Sequence, residues 1–175
     1  DRSNTSGFQS GAEAPLVLIY TAAGGTSPLS QDRPFTQCLA YSRDGGRSWT
    51  KYAHNPVIGQ IAPQNRDPKV VWLEPVQEWI MALYVDEDEF ALLSSPNLKQ
   101  WEPVGRLAMP GCAECPDLFE LPADGDPGNR KWVLWAATRG AYRIGRFEGK
   151  RFVPESEVLH AVPEGAHSYA AQTWS

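Results

Sequence analysis

The 175 residues carry 16 Lys and Arg against 21 Asp and Glu, a net charge of -5, and no basic run that would neutralise a phosphate backbone, so nucleic acid is not expected as a partner. Gly and Pro at 15 each indicate a turn-rich, all-β chain forming one domain or part of one. No apolar stretch nears the roughly 20 residues that a membrane helix needs, so no membrane partner is expected either.

In chain order, PLVLIYTAA, TQCLAYS and SWTKYAH read as three short strands. SRDGGRSW, between the last two, fits the pattern S-x-D-x-G-x-x-W, in which Asp44 and Gly45 or Gly46 make a turn and Trp49 packs beneath it. A sialidase-like propeller would use such a turn, but a tight hairpin with a packed aromatic is the stronger reading. Four strands follow: DPKVVW from Asp67, EWIMALYV from Glu78, FALLSS from Phe90 and WEPVGRL from Trp101. Then come CPDLFEL, KWVLWAAT, AYRIGRF and RFVPESEVL, and finally YAAQTWS, which resembles the first strand of another unit. Trp49, Trp101 and Phe152 close equivalent turns at spacings of 52 and 51 residues, and Trp79 and Trp132 lie 53 apart. Four strands per repeat of about 50 residues describe a propeller blade. Because the first unit lacks its first strand, the chain is expected to begin and end inside a propeller.

Cys38, Cys112 and Cys115 are too few and too uneven for a disulfide framework. The single CxxC lacks the second ligand pair of a zinc site, so no metal is expected.

Two acidic motifs share one phase of the repeat. Arg66-Asp67-Pro68-Lys69-Val70 and Glu114-Cys115-Pro116-Asp117-Leu118 place their prolines 48 residues apart. First strands of blades line the central channel, so Asp67 and Glu114 are expected on neighbouring innermost strands, facing one cavity. A pair of carboxylates is what glycosidic cleavage requires. Like charge and partial burial are expected to raise one pKa and keep that acid protonated. The plain alternative is structural, with Asp before Pro at strand starts and a buried Arg66-to-Asp117 salt bridge.

RDPKVVW and ECPDLFELP together resemble glycoside hydrolase family 32, whose sucrose- and fructan-cleaving members carry an RDP and an EC motif one blade apart. NTSGF at Asn4 to Phe8, the YSRDGGRSWTKY turn, SSPNLKQW and YAAQTWS are similar to family segments in the family's order, so the resemblance covers essentially the whole chain. It implies a partial five-bladed β-propeller, about blades two to four plus the first strand of the fifth, with residues 1–175 inside one catalytic domain. It implies Glu114 as general acid/base and Asp67 as transition-state stabiliser and sugar ligand. It further implies Arg66 as a residue that binds the sugar or orients the carboxylates, Cys115 as a site-wall residue, and Tyr169 as a neighbour of the acid/base. No cofactor is implied.

The family's nucleophilic aspartate lies in a WMNDPNG-like motif that has no counterpart here, and an FSGS-like segment is also absent. Asn65 stands where an aromatic usually precedes RDP, and GCAECPD lacks the usual Trp before the glutamate; both positions bear on the walls of the sugar pocket. His54, His160 and His167 match nothing functional. The expected function is retaining hydrolysis of β-fructosides such as sucrose, levan or inulin, with the isolated chain inactive and able to self-associate through open propeller faces. The rivals are a non-catalytic carbohydrate-binding propeller and a hairpin-repeat protein with no sugar site. Localisation is not fixed by these residues; a secreted or periplasmic place is favoured over a cytoplasmic one.

Overall fold

In a computed structural model of the chain, residues 1–163 and 168–174 are described. They are all-β, with three antiparallel sheets following one another along the chain. The first comprises β1 (Leu16–Ala22), β2 (Thr36–Ser42) and the short β3 (Thr50–Lys51). The second runs β4 (Arg66–Leu73), β5 (Glu78–Asp86), β6 (Glu89–Ser95) and β7 (Glu102–Ala108), each hydrogen-bonded to the next. The third repeats that order with β8 (Asp117–Ala123), β9 (Asp126–Ala136), β10 (Ala141–Glu148) and β11 (Arg151–Pro154). A two-residue strand, β12 (Leu159–His160), adds to β10. No helix of the described residues is long and apolar enough to cross a membrane.

The middle sheet explains why its sequence reads as continuously apolar. Successive side chains of a strand point to opposite faces. In β5, Ile80, Ala82 and Tyr84 pack toward β8, β9 and β10 of the third sheet. Met81, Leu83 and Val85 instead join Ile58 and Ile19 on the side of the first sheet. A sheet buried on both faces needs apolar residues at both parities, and all six are buried.

The first strands β1, β4 and β8 lie side by side, which brings the two acidic motifs together. The SRDGGRSW turn forms as expected around its polar residues. Asp44 Oδ1 accepts from Ser42 Oγ at 2.7 Å and from the Ser48 amide at 2.9 Å, and Ser42 Oγ accepts the Gly46 amide at 2.8 Å. Donation by the Ser48 hydroxyl to Oδ2 at 2.6 Å, followed by the Ser48 amide and the Ser42 hydroxyl, holds the Asp44 carboxyl well below the usual carboxylate range. Trp49 lies against the turn, donating to Gly46 O at 3.2 Å, yet it stays 46% exposed and is less covered than its position suggested.

One expected strand does not form. Among its described residues YAAQTWS has no ladder partner, and Ala170 at φ 55 breaks the extended run. Its polar groups bond to side chains of β4 and to the approach to β8 instead, which is why it lies across the mouths of those strands. His167 lies outside the described residues.

Candidate active site

Asp67 enters β4 through a β-bulge, where the register with β5 shifts between Arg66 and Lys69. Its φ is 60, and Glu114 and Cys115 just before β8 have φ of 63 and 42. Left-handed backbone is costly for residues with a Cβ, and the residue before a proline ordinarily prefers extended conformations. Bulges re-aim side chains, and strained backbone of this kind concentrates at functional sites, held by its surroundings.

Here the holding groups are visible. The Asp67 amide donates to Thr21 Oγ1 at 3.1 Å, Thr21 Oγ1 donates to Gln37 Oε1 at 2.8 Å, and Gln37 Nε2 donates to Asn65 O at 2.9 Å. Gln37 and Asn65 are completely buried, so this chain runs through the interior between the first two sheets. From the other side, the Cys115 amide donates to Asp67 Oδ2 at 3.1 Å and the Cys115 thiol lies 3.6 Å from the same oxygen.

Arg66 ties the carboxylates together. Its Nη2 donates to Glu114 Oε1, and its Nε lies 3.7 Å from Asp67 Oδ2. Its guanidinium carbon sits 4.6 Å from the centroid of Tyr84, a stacking geometry that orients the planar cation. Tyr169 donates its hydroxyl to Glu114 Oε2, so both oxygens of Glu114 carry a donor. All five residues singled out in the sequence therefore converge: Arg66, Asp67, Glu114, Cys115 and Tyr169.

Two expectations, and the ion pair of the structural alternative, need correction. Glu114 is not raised; donation by Tyr169 first and Arg66 second holds its pKa below the ordinary value, outweighing the opposing effect of burial. The partner of Asp117 is Lys69, at 2.8 Å, while Arg66 reaches Glu114 and Asp67. Asn65 lines no sugar pocket, because its side chain is fully buried and accepts the Ile61 and Ala62 amides at 2.9 and 3.2 Å. The carboxylates lie on a partly exposed patch; beside it a cavity of about 570 Å³ is lined by Pro68, Lys69, Gln172 and Thr173 among others.

The same hydrogen bonds act on their donors. Bonding to Glu114 raises the Tyr169 hydroxyl to about 12, so it remains a donor at neutral pH. Burial, reinforced by Asp67, pushes the Cys115 thiol up to about 11, so it stays protonated at neutral pH. Tyr84, Thr21, Gln37, Lys69 and Asp117 were not signalled by the sequence as parts of this site. Lys69 and Asp117 do fall inside the two motifs, at matching positions two residues beyond Asp67 and three beyond Glu114.

The chain matches the model for the glycosyl hydrolases family 32 N-terminal domain over residues 2–175. It is 43% identical to the levanase of Bacillus subtilis (strain 168), across 100% of this chain and 27% of that protein. Against invertase 2 of Saccharomyces cerevisiae the identity is 35%, across 99% of this chain and 35% of the relative. Among solved structures, exo-inulinase from Aspergillus awamori superposes with a TM-score of 0.77 at 32% identity, covering 100% of this chain and 41% of that one. A fructofuranosidase from Schwanniomyces occidentalis complexed with fructose gives 0.80 at 34% identity, covering 97% and 35%. The chain thus spans 27% to 35% of the length of these two sequence relatives. With a family model matched over nearly every residue, an all-β fold shared with these enzymes, and the RDP and EC motifs folded onto one another, the chain belongs to glycoside hydrolase family 32.

Proposed function

We propose that this chain supplies the acid/base half of a retaining β-fructofuranosidase acting on sucrose, levan or inulin-type fructans, its sheets serving as blades two to four of a five-bladed ring. The observation that carries the reading is the Arg66 bridge between Asp67 and Glu114, with Tyr169 on the far oxygen of Glu114. In this reading Glu114 protonates the departing glycosidic oxygen, and an aspartate from outside these residues attacks the anomeric carbon of fructose. Glu114 then takes a proton from the water that releases the sugar. Asp67 accepts fructose hydroxyls and stabilises the oxocarbenium-like transition state.

The lowered pKa of Glu114 in the free protein constrains the order of events. An incoming glycosidic oxygen needs the place that Tyr169 occupies at Oε2, and Tyr169 is the exposed partner, at 68%. Displacing it removes the largest of the influences that hold the carboxyl ionised, so substrate binding itself moves Glu114 toward its acid form. The same low pKa is what a sugar-gripping, non-catalytic carboxylate would show, which is the second reading.

Glu114→Gln in the full-length protein separates the two. The catalytic reading expects turnover of fructosides with poor leaving groups to fall by at least about 100-fold while substrate still binds. Unchanged turnover would assign proton donation to another group. Absence of any turnover in the wild-type full-length protein, with fructoside binding intact, would favour the binding reading.

A further inference from the structure

Asp117 is a carboxylate that no catalytic role requires, yet it is only 1% exposed. Its Oδ1 accepts the Leu118 amide at 2.8 Å and lies 2.8 Å from Lys69 Nζ. Its Oδ2 accepts the Thr173 amide, and Lys69 Nζ also donates to Thr173 O at 2.8 Å. One ion pair between β4 and the start of β8 therefore grips both peptide groups of a single residue on the crossing segment. Gln172 Nε2 adds weaker bonds to Cys115 O and Pro116 O, at 3.4 and 3.3 Å. Tyr169 lies four residues upstream of Thr173, largely exposed, with its hydroxyl on Glu114.

A buried ion pair is a weak source of stability, because desolvation offsets most of the attraction. The value of this one lies in geometry. Without ladder hydrogen bonds, the segment bearing Tyr169 depends on side-chain anchors for its position, and Asp117, which holds the Thr173 amide, is a buried one. We propose that Lys69 and Asp117 are positioning residues for the fructoside-cleaving reaction, forming a clamp that fixes the 172–174 backbone and thereby sets Tyr169 on Glu114.

The inference rests on Glu114 as the acid/base, and the test keeps the two apart. Lys69→Met, and Lys69→Met combined with Asp117→Asn, are made in the full-length protein; the second leaves no lone buried charge, the usual cause of misfolding on cutting such a pair. The readout is the alkaline limb of kcat/KM on a fructoside. Loss of the Tyr169 bond should move that limb upward by roughly one pH unit, the size expected for one hydrogen bond to a charged group. Both variants should show the shift, Lys69→Arg should restore the wild-type limb, and adding Tyr169→Phe should produce no further movement. A limb that stays at its wild-type position, or shifts that sum with Tyr169→Phe, would overturn the clamp. Should Glu114→Gln retain full turnover, the acid/base reading fails and a crystal structure of the neutral pair decides the clamp alone: Tyr169 away from Glu114 supports it, and Tyr169 still bonded there refutes it.

Discussion

At the scale of single residues, the state of Glu114 is decided by donors rather than by its distance from Asp67. Two like charges in contact would raise one pKa if nothing else acted, but Arg66 lies between them and Tyr169 approaches from outside. The consequence can be measured. For kcat/KM the free enzyme must hold Glu114 protonated, so its alkaline limb follows the Glu114 pKa. Tyr169→Phe deletes the first cause of the depression, the pKa rises, and the limb moves to higher pH. A limb that moves downward, or one unaffected by the change, would show that Tyr169 does not hold this carboxyl. Paired motifs at one repeat phase specified that Asp67 and Glu114 meet here, while Tyr169 was reached only through the family resemblance. It could not reveal which cation pairs with which carboxylate. Arg66 and Lys69 are three residues apart, and the bulge at Asp67 decides their separation; no local pattern announces it.

At the scale of elements, strands in the second sheet were legible almost to the residue, since alternation and turn residues bounded each one. In the third, β9 starts at Asp126, well before KWVLWAAT, and β11 stops at Pro154, well short of the end of RFVPESEVL. The limits appeared where pairing partners rather than propensity decide. SWTKYAH forms only the two-residue β3, and Tyr52 carries the contact onward through one amide bond to Leu39 O at 2.9 Å. Leu159, the expected end of RFVPESEVL, pairs instead within the two-residue β12, opposite Tyr142 of β10. Packing within strands gives a sharper test. A Cβ at Gly145 in β10 would lie 2.5 Å from Val153 O and 2.6 Å from Phe152 Cζ, between a neighbouring backbone and a buried ring. A Cβ at Gly105 in β7 meets nothing within 4 Å. Gly145→Ala should therefore cost about 1 to 3 kcal/mol as overpacking. Gly105→Ala should be neutral or slightly stabilising, because glycine weakens a strand interior. Thermal unfolding of both variants checks this, and equal melting temperatures would mean that β10 and β11 do not approach as closely as described.

At the scale of the whole molecule, the three sheets are not equivalent. Four strands run in order in the second and in the third and three in the first, and β1, like β4 and β8, is an edge strand of its sheet, paired with β2 alone among the described residues. Leu16 and Leu18 on β1 are 44% and 48% exposed, and the strand LVLIYTA carries no charge to discourage pairing with another edge. Val17, Leu18 and Ile19 also line the cavity of about 570 Å³ against Val70 and Trp174, so an apolar groove accompanies the open edge. An uncharged edge beside an apolar groove is the arrangement that invites a further strand. The 175-residue chain on its own is therefore expected to self-associate, and Leu18→Lys, which places a charge on that edge without touching the core, should shift it toward monomer in light scattering. Because no residue here matches the family's nucleophile, the same preparation should not release fructose from sucrose, inulin or levan above a buffer blank. A monomeric wild-type chain would remove β1 as an association edge, and sucrose cleavage with retained anomeric configuration would show that these residues contain a nucleophile of their own.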